Sequence, residues 1–229
     1  MPSFSTKPQI KIEMIHDIVC SWCPIGYNNM KAALGQVNGE LDAKINFLPF
    51  ELNPDMRPEG EEIESHLTRR SGWTKEEFLR YRTNLIETAK KANLTYDFSK
   101  RTHYYNTLNA HKLIHWAEKF DKQETVNQAL IEQYFTHGMD VGNIESLLDL
   151  AVSQDLDRQQ TKEALSSDKI VREIHEKQLR INRLTVRSVP TFIINEQHLV
   201  PGSNSREFFA QYFTDYINSS PAQKEILSI

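Results

Sequence analysis

Cysteine is nearly absent from this chain. Two residues among 229 carry a thiol, and they stand three positions apart in Cys20-Ser21-Trp22-Cys23. So few cysteines exclude a disulfide-stapled scaffold and leave no second pair for a thiol relay. Basic charge is not in excess either: 27 Lys and Arg against 31 Asp and Glu give a formal net charge of −4, which argues against a general nucleic-acid binder. No apolar run approaches the ~18 residues a membrane span needs. Met1 to Pro8 lack the apolar stretch of a secretory signal, so the expected address is the cytoplasm. There a lone cysteine pair is more often catalytic or metal-binding than structural. Internal repeats and low-complexity segments are also missing. What remains is ordinary globular composition, 39% hydrophobic and 25% charged, enough for one large domain or a small domain carrying an insert.

Along the chain, Ile10, Ile12 and Met14 alternate with Lys11 and Glu13, the pattern of a strand with one buried face. After the cysteine pair, Ile25, Met30, Ala33, Leu34 and Val37 recur near helical spacing. This predicts a helix starting at or just after Cys20 and ending between Gly35 and Gly39. Pro24 inside it would remove a backbone bond and favour a kink. Ile45, Phe47 and Phe50 mark a second strand over 44–50, and the order strand–helix–strand suggests a parallel βαβ unit. Asn53 to Glu62 reads as loop, with the acidic run Glu59 to Glu64 as a solvated loop and helix start. Thr74-Lys75-Glu76-Glu77 is a capping-box pattern opening a helix to about Ala92. Residues 103–119, 122–137, 143–154 and 158–181 read as helices with no strand among them. Strand signals return at 188–194, turn at 195–197 and resume at 198–200, giving a hairpin. Ser205 then caps a final helix. Its Phe208, Phe209, Tyr212, Phe213, Tyr216 and Ile217 form a stripe expected to pack on the sheet. The polar tail after Ser219 reads as frayed.

The cysteine pair carries the chemistry. At a helix N-terminus, the Cys20 sulfur would face unpaired N–H groups and the positive end of the dipole, which favour thiolate. Cysteines so placed in C-x-x-C motifs titrate at roughly 3.5 to 7.5 instead of near 8.5. Cys23, one turn further in, would be less ionised. Cys20 then forms the mixed disulfide and Cys23 resolves it. Ser21 and Trp22 between them would tune the redox poise: Ser21 as a hydrogen-bond donor toward the thiolate, Trp22 as an apolar shield or substrate contact. A zinc site is the competing reading. His111 and His115 have the spacing of two ligands on one helix face, but no second cysteine pair completes a set, and an ordinary amphipathic helix explains them. A strand before the pair and a helix after it favour the redox dithiol. His16 and Asp17, just ahead of it, read as a solvated loop pair. Trp73, Tyr104, Tyr105 and Trp116 read as packing rather than as a groove beside the cysteines. Pro190, ahead of a strong strand, reads by itself as a trans proline at a strand's first position.

His16-Asp17-Ile18-Val19-Cys20-Ser21-Trp22-Cys23-Pro24-Ile25-Gly26 resembles the active-site stretch of DsbA-like thioredoxin-fold proteins, specifically the FrnE-type branch. Further matching pieces are Phe50 to Met56, Pro58 to Gly60, Asn106 to His111, Tyr134 to Gly138, Val189 to Phe192 and Pro201 to Ser203, in order over nearly the whole chain. Departures are Ser21 where that branch often has proline, and no glycine in Thr185 to Ser188. The resemblance implies an α/β thioredoxin-like fold, βαβ…ββα, formed by residues 1–55 plus 182–229, with an inserted all-helical domain at 56–181. It implies Cys20 as nucleophile, Cys23 as its partner and Pro190 as a cis-proline facing them, overriding the trans reading. Val189 and Thr191 become contacts for substrate backbone received in extended form. The function implied is thiol–disulfide oxidoreduction on a protein or small-molecule thiol or disulfide. No resident cofactor, metal, nucleic acid or membrane is implied, glutathione is a candidate redox partner, and a homodimer is compatible. The same fold also resembles kappa-type glutathione transferases and 2-hydroxychromene-2-carboxylate isomerases. Those typically have serine at the start of the motif, and the complete C-x-x-C favours the redox reading. A redox-independent chaperone or binding module is the third alternative.

Overall fold

The alternation at Ile10, Ile12 and Met14 becomes strand β1 (Gln9–His16). A computed structural model describes residues 7–37 and 39–219 of the chain; the tail after Ser219 and the residues before Lys7, on which sequence expectations were placed, lie outside them. Helix α1 (Cys23–Gln36) crosses from β1 to β2 (Asp42–Pro49), and the two strands pair in parallel, Ile12 opposite Ile45 and Met14 opposite Phe47. This is the expected βαβ unit. The hairpin β5 (Thr191–Ile194) and β6 (His198–Pro201) adds to the other edge of β1, with both new pairings antiparallel. The resulting strand order is β2-β1-β5-β6. Helix α9 (Arg206–Asn218) follows, its Ser205 Oγ accepting from Phe208 N–H at 3.2 Å as the predicted cap.

Both faces of the sheet are covered, where alternation alone suggested one. Ile12, Met14, Phe47, Phe192 and Ile194 join α1 and α9 in the larger core. Phe192 meets Phe209 edge-on at a centroid distance of 5.1 Å. Within the aromatic stripe, Phe209, Phe213 and Tyr216 are buried, whereas Phe208 sits a step around the helix and is 44% exposed. On the opposite face, Ile15, Leu48 and Ile193 pack on Ile181 of α8 (Asp168–Arg183). Glu13, expected outward, is therefore buried, and Arg180 clamps its carboxylate with two hydrogen bonds of 2.8 and 2.6 Å. Burial by itself raises the Glu13 carboxyl, but the Arg180 hydrogen bonds and charge outweigh it and hold the group below its ordinary value.

The regular structure between β2 and β5 is helical apart from one ribbon, with loops over 50–60 and 92–102. β3 (Glu61–Glu62) and β4 (His103–Tyr104) pair antiparallel, two residues each, too short for periodicity to reveal. Part of the acidic run thus forms a strand. Helix α2 (Ile63–Ser71) follows, then α3 (Lys75–Lys91), opened by the predicted capping box. α4 (Leu108–Ala117) starts later than its pattern because Asn106 Oδ1 accepts from Leu108 N–H at 3.0 Å, a local turn that competes with helix. α5 (Gln123–His137) and α6 (Ile144–Ser153) fall as expected. The single helix predicted over 158–181 is two, α7 (Arg158–Leu165) and α8, broken at Ser166-Ser167. Serine is a poor helix former, and the pair closes the turn. α5 also covers the open edge of β2: Gln123 Oε1 accepts from Phe47 N–H at 2.9 Å.

Candidate active site

The link from β1 to α1 folds into successive turns, with Cys20 N–H bonded to Asp17 O at 3.1 Å and Cys23 N–H to Cys20 O at 3.2 Å. The helix opens at Cys23, not at Cys20, and Trp22 is its cap. Pro24 falls in the first turn, where its missing N–H has no intrahelical partner to lose, so it does not interrupt the helix. Cys20 accordingly precedes the helix by a turn, and the dipole acts on it less than a first-turn position would allow.

Both thiols are free and neither is widely open to solvent, at 6% exposure for Cys20 and 1% for Cys23. Cys20 Sγ donates to Val189 O at 3.6 Å, so the 188–191 loop lies directly over it. Burial pushes the Cys23 thiol well up, and the adjoining Cys20 and the Asp17 charge push the same way. Cys23 therefore stays protonated while the site rests reduced.

The Val189–Pro190 peptide is cis. Gly202 N–H bonds Pro190 O at 2.8 Å, and Thr191 Oγ1 bonds Ser188 O at 2.9 Å. Thr191 is buried with its hydroxyl engaged, and the half-buried Val189 packs its side chain on the core while its carbonyl faces Cys20; Ser188 is the exposed member of the loop. Gly26 in α1 lets the loop approach: a Cβ there would stand 3.1 Å from both Pro190 Cγ and Ser203 Cα. Thr185 takes φ 55°, a left-handed turn in the stretch that lacks glycine.

Several expected roles shift. Ser21 is buried, and its Oγ accepts from Arg101 Nη2 at 3.2 Å while its carbonyl accepts from Tyr96 O–H at 2.8 Å. Trp22 is half-buried and packs against the main core. His16 and Asp17 are not a solvated pair, since each is 1% exposed. Asp17 Oδ2 accepts from Leu52 N–H at 2.7 Å, and its Oδ1, without a hydrogen bond, lies 3.5 Å from His111 Nε2. Burial and the neighbouring His111 hold His16 well below its ordinary value. His111 Nε2 approaches Phe50 O at 3.0 Å, whereas His115 turns to Glu173 at 2.9 Å. The two histidines thus serve separate partners, and among the described residues no group of three or more His, Cys, Asp or Glu is placed to hold a metal. Trp73 packs on Tyr81 and Trp116 on Phe120, while Tyr104 lines the cage around Arg101. A cavity of about 750 Å³, lined in part by Leu52, Asn53, His66, Arg69 and Arg70, adjoins the site through Leu52, which bonds Asp17, and through His66, which packs on Tyr104.

Arg101 is the residue that the sequence reading missed. It is 1% exposed, its Nη2 also donates to Val19 O at 3.2 Å, and nothing in its own neighbourhood of the chain marks it.

A four-stranded sheet with parallel β1 and β2, a C-x-x-C pair at the mouth of the intervening helix and a proline loop against it define a thioredoxin-like fold. Within that class the chain belongs to the family of DSBA-like thioredoxin domains, whose profile matches residues 11–214. It is 24% identical over 208 residues to the uncharacterised protein YwbO of Bacillus subtilis (strain 168), covering 90% of this chain and 96% of that one. It is similar to the crystal structure of a probable DsbA oxidoreductase from Streptomyces coelicolor at TM-score 0.84 and 25% identity, over 93% and 92% of the two chains. It shares its fold with the cytosolic disulfide reductase DsbM of Pseudomonas aeruginosa with GSH, at TM-score 0.58 and 15% identity, over 95% and 96%. No helix among the described residues is long and apolar enough to cross a membrane.

Proposed function

We propose that this chain is a thiol–disulfide oxidoreductase working through Cys20 and Cys23. The observation that carries the reading is the approach of Cys20 Sγ to Val189 O at 3.6 Å. It sets the outer sulfur against the loop that would hold a substrate's extended backbone. In the reducing direction, the Cys20 thiolate attacks one sulfur of a substrate disulfide. The substrate S–S bond breaks, and its leaving sulfur takes up a proton. Cys23 then loses its proton and attacks Cys20 Sγ, closing the enzyme disulfide and releasing the second substrate sulfur as a thiol. One substrate disulfide is reduced as one enzyme dithiol is oxidised, and running the steps backward oxidises a dithiol. The high placement of the Cys23 thiol suits this order, because the resolving sulfur stays silent until the mixed disulfide forms.

Within the family we assign the chain to the FrnE-type branch, on the stretch His16 to Gly26. We place it in the cytoplasm with glutathione as electron partner and no resident cofactor, in keeping with the fold it shares with a cytosolic disulfide reductase described with GSH. Cys20→Ser is expected to abolish reduction of insulin by a dithiol, and Cys23→Ser to accumulate mixed disulfides visible by mass spectrometry. Full activity in both variants would overturn the reading. Glutathione-conjugating or isomerising activity that survived both substitutions would assign the chain to the transferase and isomerase group instead.

A further inference from the structure

Among the described residues, a guanidinium is buried beside the cysteine turn with no carboxylate in direct contact with it. Arg101 is 1% exposed and sits in a cage of rings, 4.5 Å from the Phe135 centroid, 4.9 Å from Tyr134, 5.1 Å from Phe98 and 5.4 Å from Tyr104. Among the described residues no acidic side chain pairs with it. Its Nη2 donates to Val19 O and Ser21 Oγ, both at 3.2 Å, and its Nε has no partner. Ring faces attract a cation but do not cancel its charge. A desolvated cation with no counter-ion is costly, and proteins retain one rarely without a partner. Besides the Tyr104 and Tyr134 hydroxyls of its cage, the groups it holds are the residues immediately before and after Cys20.

We infer that Arg101 is a positioning residue of the redox site whose counter-ion is the Cys20 thiolate itself, so that the segment between the two halves of the thioredoxin-like fold supplies the charge that C-x-x-C lacks. This rests on the oxidoreductase reading. Once Cys20 has given up the proton it shares with Val189 O, the pair is thiolate and guanidinium. When Cys20 and Cys23 join, the anion is consumed and the cation is left uncompensated, so Arg101 favours the dithiol state. Three tyrosines bridge the two charges. Burial raises Tyr81, Tyr96 and Tyr104; against it the Arg101 charge pulls each down, and a Cys20 anion pushes each up. Both charges thus act on the same three hydroxyls. Of the other titratable groups, Cys23 from α1 adjoins Cys20, and the Asp17 charge from the preceding turn acts on that Cys23 thiol.

The test compares wild type, Arg101→Met and Arg101→Lys by the pH profile of Cys20 alkylation with iodoacetamide, all in a Cys23→Ser background, and by equilibration of the intact pair with glutathione. Arg101→Met is expected to raise the alkylation midpoint by about one pH unit or more. It should also shift the glutathione equilibrium about tenfold toward the enzyme disulfide, about 30 mV, at a pH above the wild-type midpoint. Arg101→Lys, which keeps the charge, should restore most of both. A purely structural role predicts lower stability with an unmoved midpoint, and that result would overturn the inference. Should Arg101→Met not fold, the ¹⁵N resonances of the Arg101 guanidinium in unaltered protein decide: a clear change between dithiol and disulfide forms supports the pairing, and identical resonances overturn it. A wild-type Cys20 that alkylates no faster than free cysteine at neutral pH would instead defeat the oxidoreductase reading itself.

Discussion

At the scale of single residues, the two cysteines were legible because their chemistry needs only spacing, and spacing is written in the chain. Ser21 was legible only as a small polar group near sulfur; its hydroxyl turned out to be an acceptor for Arg101, which lies 80 residues away. Ser21→Ala therefore removes an acceptor from a cation whose Nε is already unpartnered. A lost buried partner of this kind costs about 1–3 kcal/mol. The urea midpoint of Ser21→Ala should fall accordingly with an unchanged m-value; an unchanged midpoint would show that the hydroxyl contact has no net weight. Asp17 and His16 were misread for the same reason as Arg101. A loop pair looks solvated until the elements that bury it, here the Leu52 strand exit and His111 of α4, are in place.

At the scale of elements, most of the periodic segments form where their patterns put them, and the errors have local causes. Ser166-Ser167 breaks a predicted helix, Asn106 delays another, and β3 with β4 is too short to have a period. The contact between α1 and the proline loop was not readable, yet it gives Gly26 its role. Gly to Ala within a helix ordinarily gains about 1 kcal/mol. Here the new Cβ would stand 3.1 Å from Pro190 Cγ and from Ser203 Cα, a ring atom and a backbone atom that cannot rotate away. Overpacking of this sort costs about 1–3 kcal/mol, so crowding outweighs propensity. Gly26→Ala is expected to lower the melting temperature and to slow insulin reduction by pushing the loop off Cys20. A variant more stable than wild type with full activity would show that the loop gives way without consequence.

At the scale of the whole molecule, buried titratable groups set how stability follows pH. His16 stays neutral when folded because burial and His111 disfavour its cation. The unfolded chain takes up that proton below about 6.5. The unfolded state therefore binds more protons there, and stability falls as pH drops below about 6.5, approaching about 1.4 kcal/mol per pH unit. Glu13 acts in a separate, lower window. Its folded carboxyl is held below the ordinary value of 4.5, so its contribution is present above that value and is lost as pH falls through the depressed one. Urea unfolding at pH 7 and pH 5 should show the first loss, and His16→Phe, on the ring that meets Phe47 edge-on at 5.1 Å, should flatten it. Equal slopes in variant and wild type would assign the acid sensitivity elsewhere.

Local order determined much of this protein unaided: the strand–helix–strand start, the closing hairpin and helix, and the dithiol between them follow from hydrophobic period, turn residues and a three-residue spacing. These signals act over a few positions and survive in a linear text. Tertiary structure alone decided which polar groups lost their water. Glu13 met Arg180, Asp17 went under the chain after β2, and Arg101 came to rest against the turn that holds Cys20, because burial and charge pairing depend on distance in space, which a chain sets only once it has folded.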